Sequence, residues 1–233
     1  MFDYRGKTAF ITGASRGIGK KIAEVFSDSH ANVIKPSRNE MDLGSIASVQ
    51  DYISNHDLSN VDIFVHSAAV NKLAGITNIS SEILDDSFDI NVKSAILLIQ
   101  NMVEGMKIRN HGRILFLSSL YASVSREQRL AYTVTKNALT GLVKNLTLEL
   151  AKDNILANCI APGYVMTDMT KKNLSEEEIS KIQQMIPTGR LQQEQEIADL
   201  VLFMCSDMNQ SITGQLISVD GGFFFFFFFS IWF

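Results

Sequence analysis

The sequence predicts an α/β fold in which one doubly wound parallel sheet forms a single domain. Apolar runs and helical stretches alternate from one end of the chain to the other, the pattern of parallel strands joined by crossover helices. The chain has 233 residues, 46% of them hydrophobic, which is enough for one sizeable core and too little for two. Because no internal repeat or linker interrupts it, we expect one domain over residues 1–222 and an atypical, phenylalanine-rich tail over residues 223–233.

Short apolar runs predict the strands, and the stretches between them predict the helices. The strands are expected at residues 8–11, 31–36, 61–67, 113–118, 155–160 and 215–219. The helices are expected at residues 17–28, 45–55, 80–108, 129–152, 175–185 and 194–206. Ser45 suits the N-cap of the second helix, because its hydroxyl can accept an unpaired backbone N–H. The long third helix is expected to bend near residues 86–89.

The connection between the second strand and the second helix is unusually short. Only eight residues, 37–44, separate these two elements. A helix followed by another parallel strand needs a crossover of at least ~10–12 residues. We therefore expect the sheet edge beside the second strand to be shortened or missing.

The charge and hydropathy of the chain exclude several classes of protein. A net charge of −4, with scattered basic residues, argues against affinity for nucleic acid or anionic membranes. No apolar run reaches the ~20 residues of a membrane-spanning helix, and the polar N-terminus is not expected to be a secretory signal. Cys159 and Cys205 lie in apolar stretches, where buried thiols are expected instead of a disulfide framework. We therefore expect a cytoplasmic protein with no nucleic-acid and no membrane partner, and no metal site.

A glycine-rich turn follows the first strand and opens the first helix. Residues 12–19 read Thr-Gly-Ala-Ser-Arg-Gly-Ile-Gly, and glycines let such a turn approach a pyrophosphate closely. The helix N-terminus adds unpaired N–H groups and a partial positive charge for that anion. The alternative is an ordinary strand–turn–helix connection. The residues expected to bind a dinucleotide here are Gly13, Ser15, Arg16, Gly17, Ile18 and Gly19.

The end of the second strand bears on which dinucleotide is bound. A cofactor without a 2′-phosphate is usually held by an acid at this place, where the chain has Ser37 followed by Arg38. Arg16 could reach the same phosphate, and two guanidinium groups suit a phosphate dianion. We therefore expect NADP(H) to be preferred over NAD(H). The alternatives are that Arg38 is a solvated loop residue and that Glu40 holds a ribose hydroxyl.

Tyr132 and Lys136 lie four residues apart near the start of a predicted helix. This spacing places both side chains on one helix face. A phenol with a pKa near ~10 is a weak acid at neutral pH, but a neighbouring cation favours its ionised form. Tyr132 is therefore a candidate general acid and base. Taken alone, the pair could equally be an ordinary surface pair.

A serine upstream strengthens the case for chemistry at this tyrosine. Ser119 follows the strand at residues 113–118, at the carboxyl edge where open α/β sheets bind ligands. A hydroxyl there can hydrogen-bond the oxygen that Tyr132 protonates. Ser118 is the alternative, because strand alternation turns only one of the two serines to the cleft.

These residues, in this order and spacing, resemble the motifs of the classical short-chain dehydrogenase/reductase family over nearly the whole chain. The matching motifs are residues 12–19, Asn91 within Phe-Asp-Ile-Asn-Val, Ser119, Tyr132 with Lys136, Pro162-Gly163 and Asp220-Gly221-Gly222. The resemblance implies a Rossmann-like, NAD(P)-dependent oxidoreductase that interconverts a carbonyl group and a secondary alcohol. It also implies a catalytic tetrad of Asn91, Ser119, Tyr132 and Lys136, in which Asn91 bends its helix and supports a proton relay to Lys136.

The resemblance implies further contacts with the dinucleotide. Asp42 matches the family's acid near the adenine ring, and Ala68 and Ala69 lie where the backbone approaches a ribose. The residues expected along the nicotinamide are Pro162, Gly163, Val165 and Thr167. The chain has His66-Ser67-Ala68-Ala69 where the family usually has Asn-Asn-Ala-Gly, so we expect binding to survive in a somewhat altered form. His66 is expected to be structural.

The substrate is less well defined by the sequence. Within the family, residues 167–169, 186–190 and 212–215 are similar to 3-oxoacyl-[acyl-carrier-protein] reductases, which implies a small-molecule or carrier-linked carbonyl or alcohol substrate. The alternatives are a sugar or polyol dehydrogenase/reductase of surface-polysaccharide metabolism, or a non-catalytic cofactor-binding regulator. The loop at residues 120–130 carries charged and aromatic residues that suit a polar or anionic substrate, although such charges are often simply solvated. They are Tyr121, Arg126, Glu127 and Arg129.

Partners of the chain are inferred by resemblance. The resemblance implies that the chain forms a homotetramer or a homodimer whose subunits contact each other through the last helices and the last strand. Seven phenylalanines at residues 223–229 suit a buried subunit contact, or else represent an aberrant end. Arg109 and Arg113 are candidates to contact an acidic carrier protein.

Overall fold

The computed structural model of the protein describes residues 2–167, 170 and 175–225. Its strands are β1 (Thr8–Thr12), β2 (Asn32–Ile34), β3 (Ile63–His66), β4 (Gly112–Leu117), β5 (Ile155–Pro162) and β6 (Leu216–Val219). They form one parallel sheet in the order β2-β1-β3-β4-β5-β6. The strand order reverses between β1 and β3, which opens a crevice at the carboxyl ends where α/β folds bind ligands. The predicted α/β fold is confirmed.

Helices cover both faces of this sheet. They are α1 (Gly17–Asp28), α2 (Ile46–Asn55), α3 (Ser81–Phe88), α4 (Ser94–Ile108), α5 (Leu130–Leu150), α6 (Glu176–Gln184) and α7 (Glu194–Cys205). Along β1, Phe10 joins the core beneath α2, α4 and α5, whereas Ala9 and Ile11 join the core beneath α1 and α7. All residues of β1, β3, β4 and β5 are buried, which is why these strands are nearly continuous apolar runs in the sequence.

The sheet ends at β2, as the short connection after this strand predicts. β2 has three residues, fewer than the expected 31–36, and pairs with β1. The segment 37–44 forms turns: the N–H of Met41 donates to the carbonyl of Ser37 at 3.0 Å, and the N–H of Gly44 donates to the Asp42 carboxylate at 3.0 Å. In the described part of the chain, the edge strand beyond β2 is therefore missing.

The predicted cap of the second helix is confirmed, and the predicted bend of the third helix lies slightly further along the chain. The Ser45 hydroxyl accepts the N–H of Ser48 at 3.3 Å and caps α2, as expected. The long third helix is interrupted by a π-helical turn at Asp89–Lys93, just after the expected bend at 86–89. This turn inserts an extra residue between α3 and α4 and carries Asn91, which is fully buried.

Arg109 and Arg113 both bind internal acceptors, but only Arg113 is buried. Arg113 is 3% exposed, and its guanidinium donates to the carbonyls of Gly112, Asn154 and Asn209 at 2.9–3.1 Å. Arg109 binds the Asp62 carboxylate at 2.9 Å and two backbone carbonyls at 2.6 Å. The expectation that Arg113 contacts a carrier is wrong, because its guanidinium is buried among internal acceptors. Arg109 is exposed, so its contact with a carrier stays a prediction.

The C-terminal segment packs onto the fold at its start. Phe223 is buried, and its ring meets that of Tyr164 edge-on at 5.3 Å between centroids. The N–H of Phe224 donates to the Asp220 carboxylate at 2.9 Å. Residues 226–233 lie outside the described residues, so the division at 222 into domain and tail stays a prediction. Among the described residues, no helix is long and apolar enough to cross a membrane.

Glycines in two helices provide a matched test of this packing. A Cβ on Gly105 of α4 would lie 1.8 Å from the carbonyl oxygen of Ser59, so Gly105→Ala should lower the free energy of unfolding by about 2 kcal/mol. The control is Gly141→Ala in α5, where a Cβ meets nothing within 4 Å and alanine should stabilise the helix by roughly 0.5–1 kcal/mol. Urea unfolding of both variants measures the difference. Equal effects would contradict the close approach of the Ser59 backbone to α4.

Candidate active site

The carboxyl ends of β1, β3, β4 and β5 surround a cleft of about 510 Å³. The structure places every residue predicted to contact the dinucleotide on the wall of this cleft. They are Gly13, Ser15, Arg16, Gly17, Ile18, Gly19, Ser37, Arg38, Asp42, Ala68, Ala69, Tyr132, Lys136, Pro162, Gly163, Val165 and Thr167. Ser119 lines the same cleft, whereas Asn91 lies behind its wall. No group of three or more potential metal ligands occurs among the described residues.

The glycine turn packs too closely against its surroundings to carry side chains. A Cβ on Gly13 would lie 2.6 Å from the backbone nitrogen of Ala68, and one on Gly19 would lie 2.3 Å from the carbonyl oxygen of Gly13. Gly17 has a φ of +59°, which favours glycine. Arg16 precedes α1 without a side-chain cap, so the first N–H groups of the helix are available to an anion. These features fit the pyrophosphate of a dinucleotide.

The turn after β2 carries the groups that bear on the choice of nucleotide. The Arg38 side chain is 82% exposed and pairs with the Asp42 carboxylate at 3.2 Å. Glu40, the alternative ribose ligand, accepts the backbone N–H of Ser37 at 2.7 Å, and this contact lowers the pKa of its carboxyl. Glu40 is thus engaged in closing the turn, while Arg38 extends into the mouth of the cleft.

Lys136 is a buried cation at the centre of the site. It is 2% exposed, and its Nζ donates to the carbonyl of Leu117, the last residue of β4, at 2.5 Å. Nζ also lies 5.5 Å from the centroid of the Tyr132 ring. Because burial disfavours the charged ammonium, the pKa of Lys136 falls to about 8. The end of β4 and the first turns of α5 are therefore joined through this one side chain.

The Tyr132 phenol and the Ser119 hydroxyl lie side by side in the cleft. Burial raises the pKa of the Tyr132 phenol, and its hydrogen bond with Ser119 acts in the opposite direction. The Ser119 hydroxyl also accepts the N–H of Tyr121 at 3.3 Å, which orients it. Ser118 is used elsewhere, because its hydroxyl donates to the carbonyl of Lys136 at 3.1 Å. Of the two candidate serines, Ser119 is therefore the one placed beside the phenol.

Asn91 is fully occupied by contacts behind the cleft. Its Oδ1 accepts the N–H of Val70 at 2.8 Å, and its Nδ2 donates to the carbonyl of Val70 at 3.1 Å and to the hydroxyl of Thr135 at 3.0 Å. It thus joins the π-helical turn, the loop after β3 and α5. Thr135 is a site residue that was not predicted from the sequence, although its spacing from Ala131 and Leu139 puts it on the buried face of α5.

His66 has a structural set of contacts, in agreement with the sequence prediction. Its Nδ1 lies 2.9 Å from the Thr12 hydroxyl, and its Nε2 lies 3.1 Å from the carbonyl of Ile90. The Thr12 oxygen accepts the N–H of Ala68 at 3.3 Å. Burial, with the charge of Lys136 as a second cause, lowers the pKa of His66 to about 3, so the ring is neutral. His66 therefore links β1, the loop after β3 and the π-helical turn.

Known proteins are similar to this chain over nearly its full length. A family model described as enoyl-(acyl carrier protein) reductase matches residues 39–224. The 3-oxoacyl-[acyl-carrier-protein] reductase FabG of Escherichia coli (strain K12) is 32% identical, covering 94% of this chain and 98% of that protein. A tropinone reductase homolog of Arabidopsis thaliana is 33% identical, covering 94% of this chain and 92% of that protein.

Solved structures share the fold. The crystal structure of a candidate gluconate dehydrogenase from Agrobacterium tumefaciens superposes with a TM-score of 0.88 at 26% identity, covering 96% of this chain and 98% of that one. The structure of a candidate NAD(P)-dependent gluconate 5-dehydrogenase from Beutenbergia cavernae has bound NADP at low occupancy. It superposes with a TM-score of 0.88 at 26% identity, covering 95% of this chain and 98% of that one.

The burial of Lys136 should appear in the pH dependence of stability. Its pKa is about 8 in the folded protein and near the ordinary 10.5 in an unfolded chain, so the unfolded chain holds more protons between these values. The free energy of unfolding of the wild type, relative to Lys136→Met, should therefore rise through this pH range, by about 3 kcal/mol in total. The Lys136→Met variant also loses the hydrogen bond to Leu117, but this loss changes the free energy of unfolding by the same amount at every pH.

Urea unfolding at a series of pH values from neutral upwards measures this difference. Lys144→Met is the control, because it removes an exposed lysine from the same helix. A flat difference for Lys136→Met would show that the ammonium is solvated.

Proposed function

The chain belongs to the short-chain dehydrogenase/reductase family, and from this membership we propose that it interconverts a carbonyl group and a secondary alcohol with NADP(H). Members related to it are named as reductases and dehydrogenases, and the chain is an oxidoreductase. The observation that carries the proposal is the placement of Tyr132, Ser119 and Lys136 around one cleft at the carboxyl edge of the sheet.

The residues of the chain suit a proton transfer to a substrate oxygen. When bound, the dinucleotide supplies or accepts the hydride. In the reducing direction, the Tyr132 hydroxyl donates its proton to the carbonyl oxygen, and Ser119 hydrogen-bonds that oxygen. The Lys136 cation stabilises the phenolate that remains. The contacts of Asn91 support a positioning role for the loop after β3, and its part in a proton relay stays a prediction.

The cofactor preference rests on the charge at the mouth of the cleft. Arg16 and Arg38 both line it, and no acid replaces Ser37 at the end of β2. A guanidinium recognises a phosphate dianion through paired N–H donors. The B. cavernae structure named above contains NADP, which is consistent with this preference. We therefore propose that NADP(H) is bound in preference to NAD(H).

Two substrate classes follow from the comparisons. The FabG relatives, at 32% identity, favour a 3-oxoacyl thioester on a carrier or a small thiol. The structures related to gluconate dehydrogenases favour a keto sugar acid or polyol, the class expected of a sugar dehydrogenase/reductase. A cofactor-binding regulator without turnover is the remaining alternative, and retention of Tyr132 and Lys136 argues against it.

We also propose a cytoplasmic homodimer or homotetramer. Cys159 and Cys205 are both buried and unpaired, which suits a reducing compartment. Large apolar side chains such as Leu148 on α5, which is 85% exposed, and Ile108 at the end of α4, which is 84% exposed, suit a surface that a second subunit covers.

Replacement of Tyr132 tests the proposed chemistry. Tyr132→Phe removes the proton donor and keeps the ring, so turnover should fall by roughly 10²- to 10⁴-fold while NADPH still binds. NADPH oxidation is followed spectrophotometrically with 3-oxoacyl thioesters and keto sugar acids, and binding is followed by NADPH fluorescence. The control is Tyr52→Phe, a buried tyrosine in the core beneath α2. Undiminished turnover in Tyr132→Phe would reject the proposed function.

Replacement of Arg38 tests the cofactor preference. Arg38→Ala should weaken NADPH binding about tenfold, the effect of losing one charge-assisted contact, and leave NADH binding nearly unchanged. The control is Arg5→Ala, which removes an exposed arginine paired with Asp3 and should affect neither cofactor. Equal losses for NADPH and NADH would place Arg38 outside the 2′-phosphate site.

A further inference from the structure

An arginine, a tyrosine and a lysine follow one another along one face at the start of α5. The arginine is the residue just before the helix. Arg129, Tyr132 and Lys136 are spaced by three and four residues, so they follow one another along the same face. Tyr132 and Lys136 line the dinucleotide cleft, whereas Arg129 does not. Arg129 therefore precedes the phenol on this face and lies outside the wall of the dinucleotide cleft.

Contacts from two directions hold Arg129 in place. Its guanidinium carbon lies 5.9 Å from the centroid of the Tyr121 ring, and that ring meets Tyr132 edge-on at 6.0 Å. Its backbone forms a bridge with Ala74, whose N–H donates to the carbonyl of Gln128 at 3.0 Å. Gln128 has a φ of +61°, a conformation that the surrounding contacts must stabilise in a residue other than glycine.

The charge of Arg129 is not neutralised within the described structure. Among the described residues, no carboxylate lies within 4.0 Å of its guanidinium, whereas the guanidinium of Arg190, for example, pairs with Glu196 at 2.7 Å. Burial raises the pKa of the Tyr132 phenol, and the positive charge of Arg129 opposes this rise, after the hydrogen bond with Ser119. Arg129 is partly buried, whereas Arg126 and Glu127 of the same loop are exposed. A partly desolvated guanidinium of this kind is suited to a carboxylate ligand.

We propose that Arg129 determines specificity by binding a carboxylate of the substrate, so that the preferred substrate is a small oxo or hydroxy acid. This inference rests on the proposed carbonyl–alcohol function. The Arg129 guanidinium contacts the Tyr121 ring, which in turn contacts the Tyr132 ring, so a carboxylate bound to it would lie close to the carbon that reacts beside the phenol. A thioester has no carboxylate at this distance from its keto group, and the proposal therefore favours the acid over the carrier-linked class.

Kinetics with matched substrate pairs test the proposal. The pair is a keto sugar acid and its primary amide, which differ in charge and little in shape, and NADPH oxidation is the measurement. Arg129→Met should raise KM for the acid at least tenfold, with a smaller change in kcat, and should leave kcat/KM for the amide within about twofold. Arg129→Lys should restore part of the affinity for the acid, because it keeps the charge and loses the paired donors.

The matched control is Arg126→Met, which removes the same charge from an exposed position of the same loop and should leave both substrates unaffected. Equal losses for acid and amide in Arg129→Met would overturn the proposal and assign Arg129 a structural role. Preference of the wild type for the amide or for a 3-oxobutanoyl thioester over the acid would also overturn it.

Failure of the inference can be told apart from failure of the proposed function. If the wild type reduces neutral carbonyls, Tyr132→Phe abolishes this activity and Arg129→Met does not discriminate between acid and amide, only the inference is rejected. If the Tyr132→Phe variant reduces every carbonyl substrate as well as the wild type does, the proposed function itself is rejected, together with the inference that rests on it. Thermal unfolding and NADPH binding of Arg129→Met show that the variant is folded, so that its kinetics can be interpreted.

Discussion

The hydrogen bond from the Lys136 ammonium to the carbonyl of Leu117 is the contact on which the site depends. A buried ammonium is unfavourable unless its N–H donors find acceptors, and the last carbonyl of β4 provides one at 2.5 Å. This contact fixes α5 against the end of β4. It thereby brings Tyr132, one helical turn away, towards Ser119, two residues beyond Leu117. The position of the phenol beside Ser119 therefore depends on one buried cation.

The rest of the cleft is held by backbone contacts that exclude larger side chains. Gly13 and Gly19 allow the turn after β1 to lie directly against the loop after β3. Neutral His66 and the amide of Asn91 then tie that loop to the π-helical turn through donors and acceptors that are all used. Such a network favours a preformed site, because each of these groups would be left without a partner if the loop moved.

Much of this arrangement could be predicted from the sequence because it follows from local rules. Alternation of apolar runs and helices predicted the sheet, and the eight residues of 37–44 predicted its edge at β2. The location of the π-helical turn, the partners of Asn91 and the internal use of Arg113 could not be predicted. Each of them depends on contacts between residues far apart in the chain. Arg129 illustrates the same limit. Only the folded loop shows that, of its charged residues, Arg129 lies over the Tyr121 ring, which contacts Tyr132.

The titration of the Lys136 ammonium tests the central claim most directly. NMR of protein containing isotope-labelled lysine, with the signal assigned through Lys136→Met, follows this group alone as the pH is raised. A buried ammonium bound to the end of β4 predicts a midpoint near 8. A midpoint at the ordinary 10.5 would contradict the account, because a solvated lysine could not fix α5 against the end of β4 and position the phenol of Tyr132 as described.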